Sequence, residues 1–511
     1  MYKSVILVAI TALSSFSCEV EKTEANKPNI LIVFPDQYRR YSAGFWSQAR
    51  YTEKTIGRPD PVHTPAIDKL ANNGVVFTNA ISNYPLCSPH RGMLLSGMYP
   101  EQNGIWNNCR KDRPDALNKD VTAITDVFFN AGYNVSYFGK CHWIKTDPLF
   151  DAQGNYVGTT DEPGGNFING YDTYVPPGAD RHSIEYFYQS IVDNHVNPMA
   201  FSSDPETVGG NKDGQPFRPK EFSPKTESRH IVDYIKNDRN QRDANKPFFM
   251  IWAPNPPHAP WDMKNTDMDE YEKHYSEERV PDINDLLSRD NADSSAARHV
   301  RNYFANVTSV DKYIGLVIEE LEASGLLENT IVVFTSDHGE MLGSHHKSGK
   351  NVIETESIAI PLIIHWPNML KPSIEEEFFN VPDLMPTLLG LAGLDGLIPN
   401  DVEGIDFSEK LLTGSVNGKI GMNSSLLLLP KAKGMVNAQF TLGVNDLGDG
   451  KCEVFLYDNV NDPYQLVKLN AGERKEIASR LLIELGQLLA KTNDPWYKDR
   501  KFNDQIKYPK F

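Results

Sequence analysis

Short apolar runs recur along the chain, and four of them stop abruptly at polar side chains. NILIVF (29–34) leads to Asp36, and NVSYFGK (134–140) ends on Lys140 with His142 just beyond. PFFMIWAPNPPH (247–258) reaches His258, and TIVVFTSDHGE (330–340) reaches Asp337 and His338. Between such runs lie stretches with helical spacing, TPAIDKLANNGVVF (64–77) and SVDKYIGLVIEELEASGLL (309–327), the second stopped by Gly325. Near-continuous apolar strands alternating with helices predict an α/β fold, with a mainly parallel central sheet sandwiched by helices. Ligands of such sheets bind beyond the carboxyl ends of the strands, where all four polar groups fall. Residues 145–245, rich in Gly, Pro, Asn and Asp with weak periodicity, read as loops around that edge. The pattern changes after DLMPTLLGLAGLDG (383–396). Antiparallel strands including CEVFLYD (452–458) and a helix at ERKEIASRLLIELGQLL (473–489) predict a smaller C-terminal α+β subdomain.

Composition narrows the class. Hydrophobic residues at 40% and charged residues at 23% of 511 describe a globular chain with a large core. A formal net charge of −17 argues against a nucleic-acid partner. At the N-terminus one lysine precedes the apolar run Val5–Leu13, too short to span a bilayer, and then small residues up to Cys18. This looks like a bacterial lipoprotein signal, with Cys18 lipidated as the first mature residue and the protein held at the periplasmic or outer-membrane surface. Phe16 departs from the small-residue pattern, so simple secretion stays open. The expected organisation is a signal peptide at 1–17, a linker at 18–27, a catalytic domain at 28–405 and a C-terminal subdomain at 406–511. Cys87, Cys109, Cys141 and Cys452 are too few for a disulfide framework; a Cys109–Cys141 bridge stays open.

Asp36 and Asp337 follow two different strands. Singly each reads as a turn cap; together at one sheet edge they suit a hard divalent cation, with Gln37 offering a neutral oxygen and His338 a nitrogen. In CSPHRGMLLSG (87–97), Pro89 near a first helical turn places Cys87 at a helix N-terminus, where the dipole favours an anion and Arg91 shares the face. A buried packing cysteine is the other reading. A cysteine-phosphatase loop is disfavoured, because Met93 stands where its arginine belongs.

The same stretch resembles the Cys-x-Pro-x-Arg signature of type I sulfatases, in which the cysteine is converted to formylglycine. Six further segments are similar to that family in order: KPNILIVFPDQYR (27–39), VHTPAIDKLANNGVVFTNA (62–80), FGKCHW (138–143), NPPHAP (255–260), TSDHGEMLGSHHKSGK (335–350) and LYDNVNDPYQL (456–466). The resemblance implies an alkaline-phosphatase-like fold and hydrolysis of sulfate esters. It implies a cation, Ca2+ before Mg2+ or Mn2+, held by Asp36, Gln37, Asp337, His338 and residue 87. Cys87 would be the formylglycine precursor and nucleophile. Arg91 and Lys140 would hold residue 87 and the charged oxygens, His258 and Lys350 would meet the leaving oxygen, and His142 would take the proton that lets sulfate go. His345, Arg110, Arg181, His182 and Asp262 are candidate sugar contacts, with His346 structural. Glu354 and Ala359 stand where Tyr and Arg are common in the family, which bears on substrate geometry. The implied partners are a sulfated oligo- or polysaccharide and a sulfatase-maturating enzyme, with membrane contact only through the lipid anchor. Algal ulvan, carrageenan or fucoidan rank ahead of animal glycosaminoglycans, and exo-action ahead of mid-chain action. The alternatives are a phosphonate or phosphodiester hydrolase of the same fold, and a silent glycan-binding lipoprotein.

Overall fold

The computed structural model describes residues 27–110, 113–145, 172–191, 194–206, 213–289, 291–295, 297–414 and 423–498. Residues 1–26 lie outside these, so the signal peptide, the linker up to 26 and Cys18 carry no structural account.

A nine-stranded sheet organises the chain. Its strands are β1 (Asn29–Val33), β2 (Val75–Ile81), β3 (Asn134–Gly139), β4 (Tyr186–Ser190), β5 (Ala200–Ser202), β6 (Phe248–Ala253), β7 (Thr330–Phe334), β8 (Ile363–His365) and β9 (Ser373–Asn380). They lie in the order β5-β4-β3-β6-β1-β7-β8-β2-β9. Pairing is parallel from β4 through β7 and between β2 and β9; β5 and β8 run antiparallel to their neighbours.

Alternation along the strands explains why both faces are covered. Ile30 and Ile32 of β1, Phe249 and Ile251 of β6, and Ile331 and Val333 of β7 enter one core. Their neighbours Leu31, Val33, Met250, Trp252, Val332 and Phe334 enter the other. Helices Cys87–Ser96 and Leu384–Leu391 fill the first face, and helices Pro65–Asn72, Ser223–Lys236 and Val300–Ala323 the second.

A second, antiparallel sheet follows: β10 (Ser424–Leu429), β11 (Ala432–Asn437), β12 (Phe440–Gly448), β13 (Lys451–Asp458) and β14 (Leu469–Asn470). Leu426, Met435, Leu442 and Leu456, with Leu481, Leu482 and Leu485 of helix Lys475–Lys491, extend the first core without a break. Among the described residues no helix is long and apolar enough to cross a membrane.

Two expectations are corrected. TPAIDKLANNGVVF is not one helix: the helix ends at Asn72 and Val75 opens β2. Gly74 makes the turn where a Cβ would lie 2.8 Å from the carbonyl oxygens of Leu70 and Ile364. Residues 145–245 are not all loop, since they supply β4, β5 and the 14-residue helix Ser223–Lys236.

Candidate active site

Four adjacent parallel strands deliver the site. Asp36 and Gln37 follow β1, Lys140 and His142 follow β3, His258 follows β6, and Asp337 and His338 follow β7. The loops are pinned as extensions of the ladder. The Asp36 amide donates to Pro254 O at 3.0 Å and the Lys140 amide to Ala253 O at 2.8 Å. Ser336 accepts from the Tyr38 amide at 2.9 Å and donates to Pro35 O at 2.9 Å, locking the β7 loop onto the β1 loop.

Cys87 and Arg91 arrive on the helix that follows β2. Leu86 is its extended N-cap residue, and Gly97 ends it at φ 68°. The Ser88 amide, free at the first turn, donates to Asn108 Oδ1 at 3.1 Å, and Ser88 Oγ accepts from the Cys109 amide at 3.0 Å. His90, in the variable position of the motif, shares a hydrogen bond of 2.9 Å with Ser82 Oγ. Burial, with His338 and Arg91 adding, holds that imidazole well below its ordinary pKa.

Asp36, Cys87, Asp337 and His338 are fully buried, with one donor atom of each within 4.8 Å of the others. Sγ of Cys87 lies 3.3 Å from His338 Nε2 and 3.9 Å from Asp36 Oδ1. Arg91 donates to Asp36 and Asp337 at 3.2 Å each and to Lys140 O at 2.7 Å; Lys140 Nζ donates to Asp36. Arg91 thus bridges the two carboxylates. Gln37 stands beside the cluster, its amide N–H on Asp337 Oδ1 at 2.9 Å, its Oε1 accepting from Lys350 and its Nε2 donating to Glu340.

The donor set fits a divalent cation. His338 Nδ1 donates to Gly339 O at 3.0 Å, which turns Nε2 into the cluster. That nitrogen faces Asp337 Oδ1 at 3.6 Å and Asp36 Oδ1 at 3.7 Å, a nitrogen and two carboxylate oxygens converging as a divalent cation's ligands do. Burial and the Asp36 charge push the Asp337 carboxyl up to about 6. Burial and Cys87 also oppose ionisation of Asp36, but Lys140, His258 and Arg91 hold it well below the carboxylate range. Burial disfavours a Cys87 thiolate, yet Lys140, Lys350 and His338 bring that thiol well below its ordinary value.

His142 and His258 also turn to the sulfur of Cys87. His142 Nε2 donates to Cys109 O at 3.2 Å and His258 Nδ1 to Ala259 O at 2.7 Å, which fixes both rings beside residue 87. Burial, with Lys350 adding, lowers the His258 pKa.

The candidate sugar contacts divide. Arg181 is buried and spent internally, on Asp213 at 2.7 Å, Tyr174 Oη at 2.6 Å and Val175 O at 2.7 Å, with its guanidinium 4.1 Å over Phe187. His182 holds Asp126 at 3.1 Å, and Asp262 caps the turn Met263–Asn265 through the Lys264 and Asn265 amides. All three are thus tied to the scaffold by these contacts. Arg110 is half-buried beside Cys109, and His345 is half-buried with left-handed backbone at φ 53°. His346 is exposed and pairs with Asp293 at 3.1 Å. Cys109 and Cys141 are separate buried thiols. Glu354, in the place of the family's Tyr, accepts from Lys347 at 2.9 Å. The sequence reading missed Glu340, Ser336 and Asn108; Glu340 alone left a signal, a charge two residues after His338 in a segment that packs inside.

A family model described as Sulfatase matches residues 28–394. The chain belongs to the sulfatase family. An endo-4-O-sulfatase of Bacteroides thetaiotaomicron is 38% identical over 98% of this sulfatase and 99% of its own length. An ulvan-active sulfatase of Formosa agariphila is 28% identical over 94% of the chain and 84% of its own. A solved structure titled for the metabolism of multiple glycosaminoglycans by Bacteroides thetaiotaomicron superposes with a TM-score of 0.86 at 37% identity, covering 94% of this chain and 100% of the other. The sulfatase is thus a sulfuric ester hydrolase, and its described residues hold a possible metal site of the kind this metal-dependent family uses.

Proposed function

We propose that this sulfatase removes sulfate from a sulfated glycan, with residue 87 as formylglycine and Ca2+ held by Asp36, Gln37, Asp337, His338 and residue 87. The observation that carries this reading is Cys87 at the first turn of a buried helix, its sulfur among two carboxylates and three imidazoles. Once made and bound, the hydrated aldehyde supplies a hydroxyl nucleophile and the cation lowers its pKa and polarises the sulfate.

The chain's own residues do the rest. Arg91 and Lys140 keep Asp36 and Asp337 ionised in a dry site, where an unpaired carboxylate would otherwise take up a proton. His142, held by its Nε2 on Cys109 O beside residue 87, is the base that removes a hydroxyl proton there. Lys350, an ammonium held on Gln37 Oε1, donates the proton to the departing sugar oxygen. His258, fixed by its Nδ1 on Ala259 O at 2.7 Å, stands beside residue 87 and meets the leaving oxygen together with Lys350.

The relative named as an endo-4-O-sulfatase, with the solved structure titled for glycosaminoglycan metabolism, supports mid-chain 4-O-sulfates of a glycosaminoglycan as the substrate, in place of the exo-action on algal fragments expected from sequence. Export through residues 1–17 and lipidation at Cys18 complete the reading, and the mass of the mature N-terminus tests them. For the activity, the matured enzyme is incubated with a 4-O-sulfated glycosaminoglycan polymer, with ulvan, and with a phosphonate monoester. Sulfate release from the intact glycosaminoglycan is the expected result. Faster turnover of the phosphonate, or sulfate release only from ulvan or chain ends, would overturn the activity or the substrate respectively.

A further inference from the structure

Every polar atom of Gln37 is engaged. Its backbone is left-handed at φ 64°, its N–H goes to Asp337 Oδ1 at 2.9 Å, and its carbonyl accepts from Tyr303 Oη at 2.8 Å. The side-chain amide lies between opposite charges, Nε2 on Glu340 Oε2 and Oε1 on Lys350 Nζ. An amide can take two orientations of nearly equal shape, and its neighbours decide between them. Here a carboxylate accepts at one end and an ammonium donates at the other, so only one orientation is satisfied.

The other oxygen of Glu340 has a different task. Oε1 accepts from the Leu342 amide at 3.1 Å and the Gly349 amide at 2.6 Å. It thereby closes the loop 341–349, which is tied again by the Met341 amide on Gly349 O at 2.8 Å and the Gly343 amide on Lys347 O at 2.8 Å. Lys350 is the next residue. One fully buried carboxylate thus sets both the facing of Gln37 and the place where Lys350 leaves its loop.

We infer that Glu340 is a positioning residue that orients the Gln37 amide so that its oxygen, not its NH2, faces Lys350 and the cation site, and that delivers Lys350 in register. The inference rests on the metal reading above for the role of that oxygen. In E340Q the new amide can still accept from Leu342 and Gly349, but its NH2 opposes the Gln37 NH2. Either Gln37 flips, turning NH2 to Lys350 and the cation, or the loop lets go.

The test compares wild type, E340Q, the exchange Q37E/E340Q and Q37M. Apparent Ca2+ affinity is read from the Ca2+-dependent rise in Tm, and kcat and KM from sulfate release. E340Q should lose about 10- to 100-fold in Ca2+ affinity and in kcat, with KM changed less, as partners of metal ligands do. The exchange restores a donor facing an acceptor at unchanged net charge, and should recover most of both losses. E340Q at wild-type values, or an exchange variant that folds and recovers neither, would overturn the inference. If E340Q does not fold, a folded exchange variant that binds Ca2+ supports it. Failure of both to fold while Q37M folds would assign Glu340 to loop stability alone and also overturn it. Absence of a Ca2+ response in wild type would sink the metal reading instead, and the kcat comparison would still judge Glu340.

Discussion

Arg91 shows how a residue's neighbours fix what it does. Its guanidinium is 1% exposed and bridges two buried carboxylates. Arg91→Met should therefore leave Asp36 and Asp337 under-compensated and cost about 3–5 kcal/mol of stability in metal-free protein. Urea unfolding in EDTA measures this, and a loss below about 1 kcal/mol would contradict it. Glu227 makes a second residue-level case, on the far side of the sheet. It accepts from Ser190 Oγ at 2.7 Å and Trp252 Nε1 at 2.9 Å, and burial raises its carboxyl from 4.5 to about 7. Between those values the native state keeps a proton that the unfolded chain has released. Stability from this group is thus full below about pH 4.5, falls as pH rises, and is gone above about pH 7. Glu227→Gln should match wild type at low pH and exceed it at pH 8, by up to about 3 kcal/mol. Equal pH profiles would show that Glu227 does not titrate in this way.

Elements carry the site to one place, and a few side chains hold elements together. Asn83, between β2 and the Cys87 helix, donates to Asn380 Oδ1 at 2.8 Å and Leu426 O at 2.9 Å, and accepts from the Val381 amide at 2.9 Å. It joins both sheets to the approach to the nucleophile. Asn83→Leu strands several buried polar groups and should cost about 3 kcal/mol or more. A shift in the urea midpoint reports this, and an unshifted midpoint would refute it. The elements that carry chemistry were legible in sequence because each is an apolar run that ends at a polar residue, as in NILIVF before Asp36 and TIVVF before Asp337. The helix Ser223–Lys236 was not, because its buried apolar stripe is only Ile231, Tyr234 and Ile235 with few others, inside a polar stretch. Asp36, Cys87, Asp337 and His338 were read as one cluster, and they are one. Arg181, His182 and Asp262 were charged loop residues whose partners Asp213, Asp126 and the 264–265 amides no local pattern announces. Glu340 left a local signal, a charge in a segment that packs inside, but its meaning lies in Gln37, 303 residues away.

For the whole molecule, the catalytic edge depends on a continuous core from the central sheet through β10–β13 to the C-terminal helix. A cation in the cluster should thus be felt globally. Chelation should lower the Tm, and Ca2+ at about 100 times its Kd should restore about 2.7 kcal/mol of stability. An unchanged Tm would contradict a bound ion in this cluster. The central claim is that Cys87 is the precursor of the nucleophile, and its most direct test is the mass of the peptide carrying residue 87, from protein made in its own host. The account predicts the aldehyde in place of the thiol. An unmodified cysteine in that peptide would contradict it.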